Sequence, residues 1–170
     1  MTAGAVTDVE LFTEVHDRHF TAIYRYVAGR LGAQAAEDVA AETFLVAFDR
    51  RKAFDPARGD QRAWLFGIAT NLVSRHRRKE ARHYRALSRL ETPRLVEGPE
   101  SRVVAAGQLG TALVRLTAGE RDVLLLVALA DLGYAQVAEA LGISPGTVGS
   151  RLTRARKKLT PVLAQEASDE

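Results

Sequence analysis

The 170-residue sequence contains no cysteine, which excludes a disulfide framework and thiolate zinc sites. Aromatic residues make up only 6% of the chain and hydrophobic residues 46%, so we expect a core of packed aliphatic side chains. The longest aliphatic run, residues 123–130, is too short to span a bilayer. The N-terminal segment lacks the basic and apolar pattern of a secretion signal. We therefore expect a cytoplasmic protein that does not insert into membranes.

Strand periodicity is also missing, because no segment of useful length alternates apolar and polar residues. Nearly every long segment has helical spacing instead. A first helix is predicted to begin at a capping box formed by Thr7 and Glu10 and to end near Leu31. A second helix is predicted over about 35–51, and a third, longer one begins near Asp60.

The helical pattern gives way to a different composition after residue 90. Residues 91–101 contain two prolines and a glycine and no helical period, which is typical of a linker. Beyond it, a second capping box at residues 117–120 opens a helix that is apolar on all sides and is predicted to form the core of the C-terminal half. The sequence therefore predicts an all-α protein with two small helical domains, residues 8–88 and 103–162, joined by a flexible linker at 89–102.

The C-terminal segment has the pattern of a helix-turn-helix, spanning Leu132 to Arg151 and continuing beyond it. A short helix over 134–141 is followed by Gly142, the residue best suited to the left-handed conformation that ends a helix. Ser144 and the proline after it are typical of a helix start. Four apolar residues then recur on one helical face: Val148, Leu152, Ala155 and Leu159.

The remaining faces of this second helix carry small hydroxyl residues and basic residues, a combination typical of DNA binding. Hydroxyl side chains can approach base edges in the major groove, while Arg and Lys neutralise phosphates. A basic amphipathic helix closing an ordinary domain is the alternative, but the order of helix, glycine turn and Ser-Pro start favours DNA binding. The predicted DNA-binding residues are Ser144, Gly146, Thr147, Ser150, Arg151, Thr153, Arg154 and Lys157.

The net charge is +3, but the basic and acidic residues are distributed unevenly along the chain. Residues 1–48 hold three basic and seven acidic residues, whereas residues 49–94 hold thirteen basic and five acidic ones. A second basic patch, residues 151–158, contains five basic residues and no acidic one. Two separate basic patches favour two contacts with one polyanion, although a solvated helix face is the alternative for the central patch.

Three stretches, taken in order, resemble the extracytoplasmic-function group of bacterial RNA polymerase sigma factors: residues 37–48, 54–72 and 146–156. The resemblance covers about residues 10 to 160. It implies that the N-terminal domain is similar to sigma region 2, which binds core polymerase and the −10 promoter element. It also implies that the C-terminal domain is similar to sigma region 4, which binds the −35 element through its helix-turn-helix. The implied function is promoter-specific transcription initiation.

The resemblance also implies partners. The acidic second helix resembles the one that binds the clamp helices of the polymerase β′ subunit, and the β flap is a further expected contact. Promoter DNA and an anti-sigma protein are the other expected partners. The residues assigned to core binding are Glu37, Asp38, Ala41, Glu42, Phe44 and Leu45.

The segment after residue 54 resembles the part of these factors that reads and opens the −10 element. We expect the loop around Asp60 and Gln61 to line a pocket for a flipped base, and the basic stretch beyond it to follow the DNA backbone. Trp64 can be a stacking platform, but its apolar neighbours favour a place in the core. The residues assigned to the −10 element are Asp60, Gln61, Arg62, Trp64, Asn71, Arg75, Arg77, Arg78 and Lys79.

Two positions depart from the family pattern. Ala41 stands where the family commonly has Gln, which removes one polar contact with the β′ clamp. Gly149 stands where the family usually has Lys or Arg, so we expect a weaker or altered −35 preference carried mainly by Ser150, Thr153 and Arg154.

Other functional classes fit the sequence less well. A stand-alone helix-turn-helix regulator would need an exposed apolar seam for dimerisation and would leave the central basic patch unexplained. A small nuclease would need a carboxylate cluster for metal, and only Asp55 and Asp60 lie near the basic residues. The four histidines lack neighbouring ligands, and no nucleophile motif or phosphate-binding glycine loop is present. We expect no enzyme activity, no catalytic residue, no metal and no cofactor.

Overall fold

A computed structural model describes residues 7–89, residues 112–166 and residue 168. Within these ranges the chain is helical and contains no strand, so the all-α prediction is confirmed. The predicted linker beyond residue 89 and the predicted start of the second domain at Val103 lie outside the described residues. The helices are α1 (Asp8–Leu31), α2 (Ala33–Asp49), α3 (Gln61–Ser88), α4 (Ala118–Ala128), α5 (Tyr134–Leu141) and α6 (Pro145–Glu166), with a 3-10 turn at Arg51–Ala53.

Both predicted capping boxes are present. At the start of α1 the Glu10 backbone N–H donates to Thr7 Oγ1 (3.3 Å), and the Thr7 N–H donates to the Glu10 carboxylate (2.7 Å). Thr117 and Glu120 make the same reciprocal pair at the start of α4, at 3.2 and 3.1 Å. Each box satisfies backbone donors that the first helical turn leaves without partners.

The second helix is shifted relative to the prediction. It begins at Ala33, directly after Gly32, whose φ of 84° only glycine adopts readily. It ends at Asp49 rather than near Arg51, because residues 51–53 tighten into the 3-10 turn. This turn leads to the segment 54–60, called here the Asp60 loop, which redirects the chain into α3.

Helices α1, α2 and α3 pack together and form the N-terminal part of the structure, residues 7–89. Their buried side chains are mostly aliphatic, as expected, and Ile23, Val27, Leu65 and Val73 are fully enclosed. Tyr26 and Phe66 add an edge-to-face ring pair with centroids 5.3 Å apart. The long α3 is thus fixed by its first half, while its basic second half extends from the packed core.

Helices α4, α5 and α6 form the C-terminal part, residues 112–166, and α5 packs directly on α3. The buried residues of both parts belong to one continuous apolar cluster, which includes Leu65 on one side and Val137 on the other. The apolar α4 is less enclosed than predicted: Val123 and Leu126 are fully buried, but Leu124, Leu125 and Val127 are only partly so. The division into two domains therefore stays a prediction.

No helix in the described ranges combines the length and apolar character needed to cross a membrane.

Candidate nucleic-acid interface

The predicted helix-turn-helix is formed by α5, the turn at residues 142–144 and α6. Gly142 adopts the left-handed conformation (φ 63°, ψ 36°), and the next N–H, that of Ile143, donates to the Ala138 carbonyl at 3.0 Å. Ser144 Oγ accepts the Thr147 backbone N–H at 3.1 Å and so caps α6. The turn and cap inferred from Gly142 and Ser144 are therefore confirmed.

One face of α6 is embedded in the C-terminal part. It consists of the four apolar residues that the sequence placed on one side of the helix, and none of them exceeds 6% exposure. Ion pairing adds to this anchorage, because Lys158 Nζ lies 2.7 Å from the Glu120 carboxylate of α4. The buried residues are Val148, Leu152, Ala155 and Leu159.

The opposite face of α6 is open to solvent, with Ser150, Thr153, Arg154 and Lys157 all exposed. The two hydroxyls donate to carbonyls of their own helix, Ser150 Oγ to Thr147 and Thr153 Oγ1 to Gly149. Their oxygen lone pairs stay available to accept from the amino groups of bases. This face offers hydroxyl acceptors and two cations on a rigid helix, which suits major-groove contact.

The other predicted residues of this group differ in exposure. Ser144 and Gly146 are exposed, whereas Thr147 and Arg151 are partly buried. The Arg151 guanidinium packs against Gly119 of α4, where an added Cβ would come within 2.9 Å of it. Arg151 of α6 therefore packs against α4, and its charged group lies at the edge of the exposed face of α6.

The Asp60 loop is fixed by hydrogen bonds with two helices, α3 and α5. Asp60 caps α3, because its carboxylate accepts the Ala63 N–H at 2.9 Å, and this bond lowers the pKa of Asp60 below its usual value. The second carboxylate oxygen accepts from Gln136 Nε2 of α5 at 3.3 Å. The Asp60 backbone N–H donates to the Glu139 carboxylate at 2.7 Å. The loop predicted to hold a flipped base thus lies against the first helix of the helix-turn-helix.

His19 is a neighbour of this loop that the sequence did not identify as part of the site. It is 8% exposed, and its Nδ1 has no hydrogen-bond partner among the described residues. Burial is the main cause that lowers the pKa of His19, followed by the charges of Arg62 and Arg18, while a hydrogen bond with Gln61 opposes the shift. Burial therefore favours the neutral form of the His19 imidazole, which lies beside Gln61.

Arg62 and Trp64 serve packing in this structure. Arg62 Nη2 donates to the Ala130 carbonyl at 2.6 Å, and its guanidinium lies 5.3 Å from the Phe66 ring centroid. Trp64 is partly buried and stacks on Phe54, with centroids 4.9 Å apart. Both side chains are only partly exposed.

Further along α3, an exposed face runs through Asn71, Arg75, Arg78 and Lys79, which lie at near-helical repeats. Arg77 differs, because it is partly buried and donates to the Arg30 carbonyl at the end of α1 at 2.7 Å. Of the four basic residues assigned to the −10 element in this half of α3, three are therefore exposed, and the fourth, Arg77, closes the end of a neighbouring helix.

The acidic face of α2 is exposed at Glu37, Asp38, Ala41, Glu42 and Leu45. The last four lie at i, i+3, i+4 and i+7, so they form a single stripe, with Leu45 67% exposed. An apolar side chain flanked by carboxylates on a free helix face is a feature of protein interfaces.

Phe44 does not belong to that stripe. It was assigned to polymerase binding, but it is 4% exposed and packs inward against Phe12, His16 and Phe20, with ring centroids 4.8 to 6.5 Å away. The structure corrects this assignment, because its helical position turns the ring into the aromatic cluster between α1 and α2. Phe44 can position the stripe but cannot contact a partner directly.

No group of three or more potential metal ligands occurs within the ranges 7–89 and 112–166. The polar clusters that do occur join helices to one another through caps and ion pairs. The exposed basic faces lie on α6 and on the second half of α3, and Arg75 of α3 lies 3.9 Å from the Glu42 carboxylate of the acidic α2 face.

Two family models match the chain. The model described as Sigma-70 region 2 matches residues 12–83, and the model described as Sigma-70, region 4, matches residues 106–159. The first therefore covers α1 to α3 almost completely, and the second covers the helix-turn-helix.

Similar proteins cover most of the chain. The ECF RNA polymerase sigma factor SigC of Mycobacterium tuberculosis is 33% identical over 142 residues, which cover 81% of this chain and 75% of that protein. The ECF RNA polymerase sigma factor SigL of the same organism is 30% identical over 174 residues, covering 97% and 96%. A solved structure of CnrH in complex with the cytosolic domain of CnrY superposes with a TM-score of 0.66 at 28% identity, over 91% of this chain and 88% of that one.

Proposed function

The chain belongs to the extracytoplasmic-function group of RNA polymerase sigma factors, and we propose a division of work among its exposed faces. A sigma factor binds core polymerase and directs promoter-specific initiation. In this division α6 binds the −35 element, α3 with the Asp60 loop binds the −10 element, and the acidic stripe of α2 binds the core enzyme.

The exposed face of α6 is the observation that carries the −35 assignment. Its hydroxyl and basic side chains project from a helix whose other face is fixed by four buried apolar residues. Arg154 and Lys157 supply phosphate contacts that position the helix, while Ser150 and Thr153 face the base edges. Gly149 lies within this face and contributes no side chain, so its neighbours determine the sequence preference.

The −10 assignment is supported by the exposed cations on α3. Arg75, Arg78 and Lys79 form a track suited to a phosphate backbone. At the other end of the same helix, the polar Asp60 loop provides hydrogen-bonding groups for an extruded base. One rigid helix thus carries both the backbone track and the base-reading loop at a fixed separation.

The acidic stripe of α2 is proposed as the surface for the β′ clamp helices, with the C-terminal part contacting the β flap. Asp38, Glu42 and the exposed Leu45 combine charge with apolar area, while Ala41 reduces the polar contacts that the family pattern offers. Because these carboxylates repel DNA phosphates, this face is kept for a protein partner.

We infer that the chain contributes recognition and no catalysis, since the polymerase performs the chemistry of RNA synthesis in the cytoplasm. An anti-sigma protein is a further proposed partner, supported by the likeness to CnrH, which was solved in complex with the cytosolic domain of CnrY.

The function is tested by transcription from fragmented genomic DNA with sigma-free bacterial core polymerase, with and without this chain, followed by mapping of RNA 5′ ends. We expect new start sites that share two spaced upstream elements. The variant Arg154→Ala/Lys157→Ala should lose these starts. Absence of new starts, together with sequence-specific duplex binding by the protein alone, would instead indicate a stand-alone helix-turn-helix regulator.

A further inference from the structure

His19 is a buried polar residue that the proposed division of work leaves without a role. It lies on α1, is 8% exposed, and its Nδ1 has no hydrogen-bond partner among the described residues. Burying an imidazole whose ring nitrogen lacks a partner costs free energy, so packing alone does not account for a histidine at this position. The imidazole is hydrogen-bonded to Gln61, the first residue of α3. His19 therefore contacts one of the polar side chains assigned to the −10 element.

The position of His19 relative to Gln61 is fixed by the packing of α1 against α3. Further along these helices, Tyr26 of α1 meets α3 through an edge-to-face contact with Phe66 and a hydrogen bond with Thr70 at 2.8 Å. Tyr26 follows His19 by about two helical turns, so both residues lie on the face of α1 that is turned toward α3. The imidazole is thus supported by a rigid pair of helices.

The two polar residues at the start of α3 have different tasks. One carboxylate oxygen of Asp60 accepts the Ala63 N–H at 2.9 Å and caps the helix. The side chain of Gln61 is partly buried and is hydrogen-bonded to His19. An amide bound at one end can still offer its other end to a ligand. Gln61 is therefore the residue whose orientation His19 can determine.

The protonation state of the imidazole determines which end of the amide is bound. Burial and the charges of Arg62 and Arg18 favour the neutral imidazole, which carries one N–H and one bare nitrogen. A buried N–H without an acceptor is rare, so the unpartnered Nδ1 is the bare nitrogen and Nε2 carries the proton. Nε2–H then donates to the amide oxygen of Gln61. The amino group of Gln61 remains available to donate to a base.

We propose that His19 is a positioning residue that sets the base preference of the −10 contact, because it holds the Gln61 amide with its amino group toward the extruded base. This inference rests on the proposed function, since it takes Gln61 to contact a −10 base. Without the bond to His19, the amide can turn over and offer an acceptor as readily as a donor. Loss of His19 should therefore lower the discrimination between bases.

Substitutions at His19 separate positioning from packing. His19→Leu removes the hydrogen bond and keeps a side chain suited to burial, and His19→Met is a second variant with a more adaptable shape. His19→Gln keeps an N–H donor at a similar reach and should restore the bond to Gln61. The matched control is His16→Leu, which removes the same residue type from the preceding turn of α1, where the ring packs on Phe44 with centroids 4.8 Å apart.

Base preference is measured with core polymerase on promoters identified by the mapping of start sites. Each position of the upstream element nearest the start is replaced by the other three bases, and initial transcript synthesis gives the ratio between the best and the poorest base. Binding to the −35 duplex is used to equalise the amount of active protein. At the position that Gln61→Ala affects most, we expect His19→Leu and His19→Met to lower this ratio about fivefold.

We expect His19→Gln and His16→Leu to keep the ratio of the parent protein. A ratio that is unchanged in both His19→Leu and His19→Met would overturn the positioning role. The same conclusion would follow if the ratio fell as far in His19→Gln or in His16→Leu, because the effect would then not depend on the hydrogen bond.

The double variant His19→Leu/Gln61→Ala tests whether the effect passes through Gln61. We expect its ratio to equal that of Gln61→Ala alone, because no amide is left to position, and a further fall would overturn the proposal. If Gln61→Ala changes the base preference but His19→Leu and His19→Met do not, the −10 assignment stands and only the positioning role is wrong. If Gln61→Ala changes no preference in this element, the −10 assignment of Gln61 is wrong, and the inference about His19 fails with it.

Discussion

Lys158 and Glu120 join the recognition helix to the helix beneath it, with the ammonium nitrogen 2.7 Å from a carboxylate oxygen. The same carboxylate accepts the Thr117 N–H and completes the capping box of α4. The lysine hydrogen bond is the main cause that lowers the pKa of Glu120. Glu120 therefore caps the start of α4 and holds α6 against this helix through the ion pair with Lys158.

Replacing Glu120 should cost more than replacing its partner. Glu120→Ala removes the ion pair and half of the capping box, and we expect a loss of about 1–2 kcal/mol in the free energy of unfolding. Lys158→Ala removes the half-exposed pair alone and should cost less than about 1 kcal/mol. Urea denaturation of the full chain measures both, and equal losses would contradict the double role of Glu120.

The buried His19 should make stability depend on pH. Its pKa is lowered in the folded state, mainly by burial, so the unfolded chain binds the proton more readily. The free energy of unfolding should thus be highest above the ordinary histidine pKa of about 6.5 and fall as the pH drops below it. The difference between the parent and His19→Gln, measured by thermal unfolding from pH 8 to pH 5, isolates this group. A difference that is independent of pH would contradict the prediction.

Gly149→Arg should tighten binding to the −35 duplex. A Cβ at Gly149 meets no atom within 4 Å, so a side chain fits without displacing anything. An added phosphate contact is worth about 1 kcal/mol, or roughly fivefold in affinity, and arginine also favours the helix. Anisotropy with the mapped −35 duplex measures the change, with Gly149→Ala as the control for helix propensity alone. Unchanged affinity in the arginine variant would count against a DNA-facing position.

Arg154→Ala/Lys157→Ala should reduce the salt dependence of duplex binding. Each lost phosphate contact removes about 0.9 from the slope of log Kobs against log salt, so the slope should become shallower by roughly 2. The slope is obtained from titrations at four salt concentrations. The exposed Arg82 and Lys52 lie far along the chain from α6, and their double alanine variant should leave the slope of a −35 duplex unaltered.

Charge reversal at Asp38 and Glu42 should abolish core binding and spare −35 duplex binding. Both carboxylates lie on the exposed stripe of α2 beside Leu45, on a different helix from the recognition face. Co-elution with core polymerase measures the first effect and anisotropy the second. The reversal of Glu14 and Asp17, an exposed pair on α1, is the matched control. Core binding that survives in the α2 variant would refute the assignment of this stripe to polymerase binding.

The confirmed predictions depend on contacts between residues that lie close together in the chain. Gly142 and Ser144 act within a few residues of themselves, so the turn and the cap of the helix-turn-helix could be read directly. The capping boxes at Thr7 and Thr117 are equally local. By contrast, Phe44 was assigned to the polymerase surface although its ring is buried, because the family pattern does not say which way a ring points.

Contacts between distant segments could not be predicted in this way. Arg30 and Asp122 are separated by 92 residues, and Asp60 and Glu139 by 79, with no periodicity linking either pair. The burial of His19 beside Gln61 follows from the same long-range packing. The sequence indicated a polar loop at Asp60, but only the packing of α5 on α3 revealed that this loop lies against the first helix of the helix-turn-helix.

Different residues form the buried face and the exposed face of α6. The four apolar residues that hold the helix in place are buried, whereas Ser150, Thr153, Arg154 and Lys157, which are assigned to promoter reading, are exposed. Substitutions on the outer face can therefore accumulate with little effect on folding. After gene duplication, a copy of such a factor could acquire a new set of target promoters through a few point mutations, each intermediate remaining a stable protein.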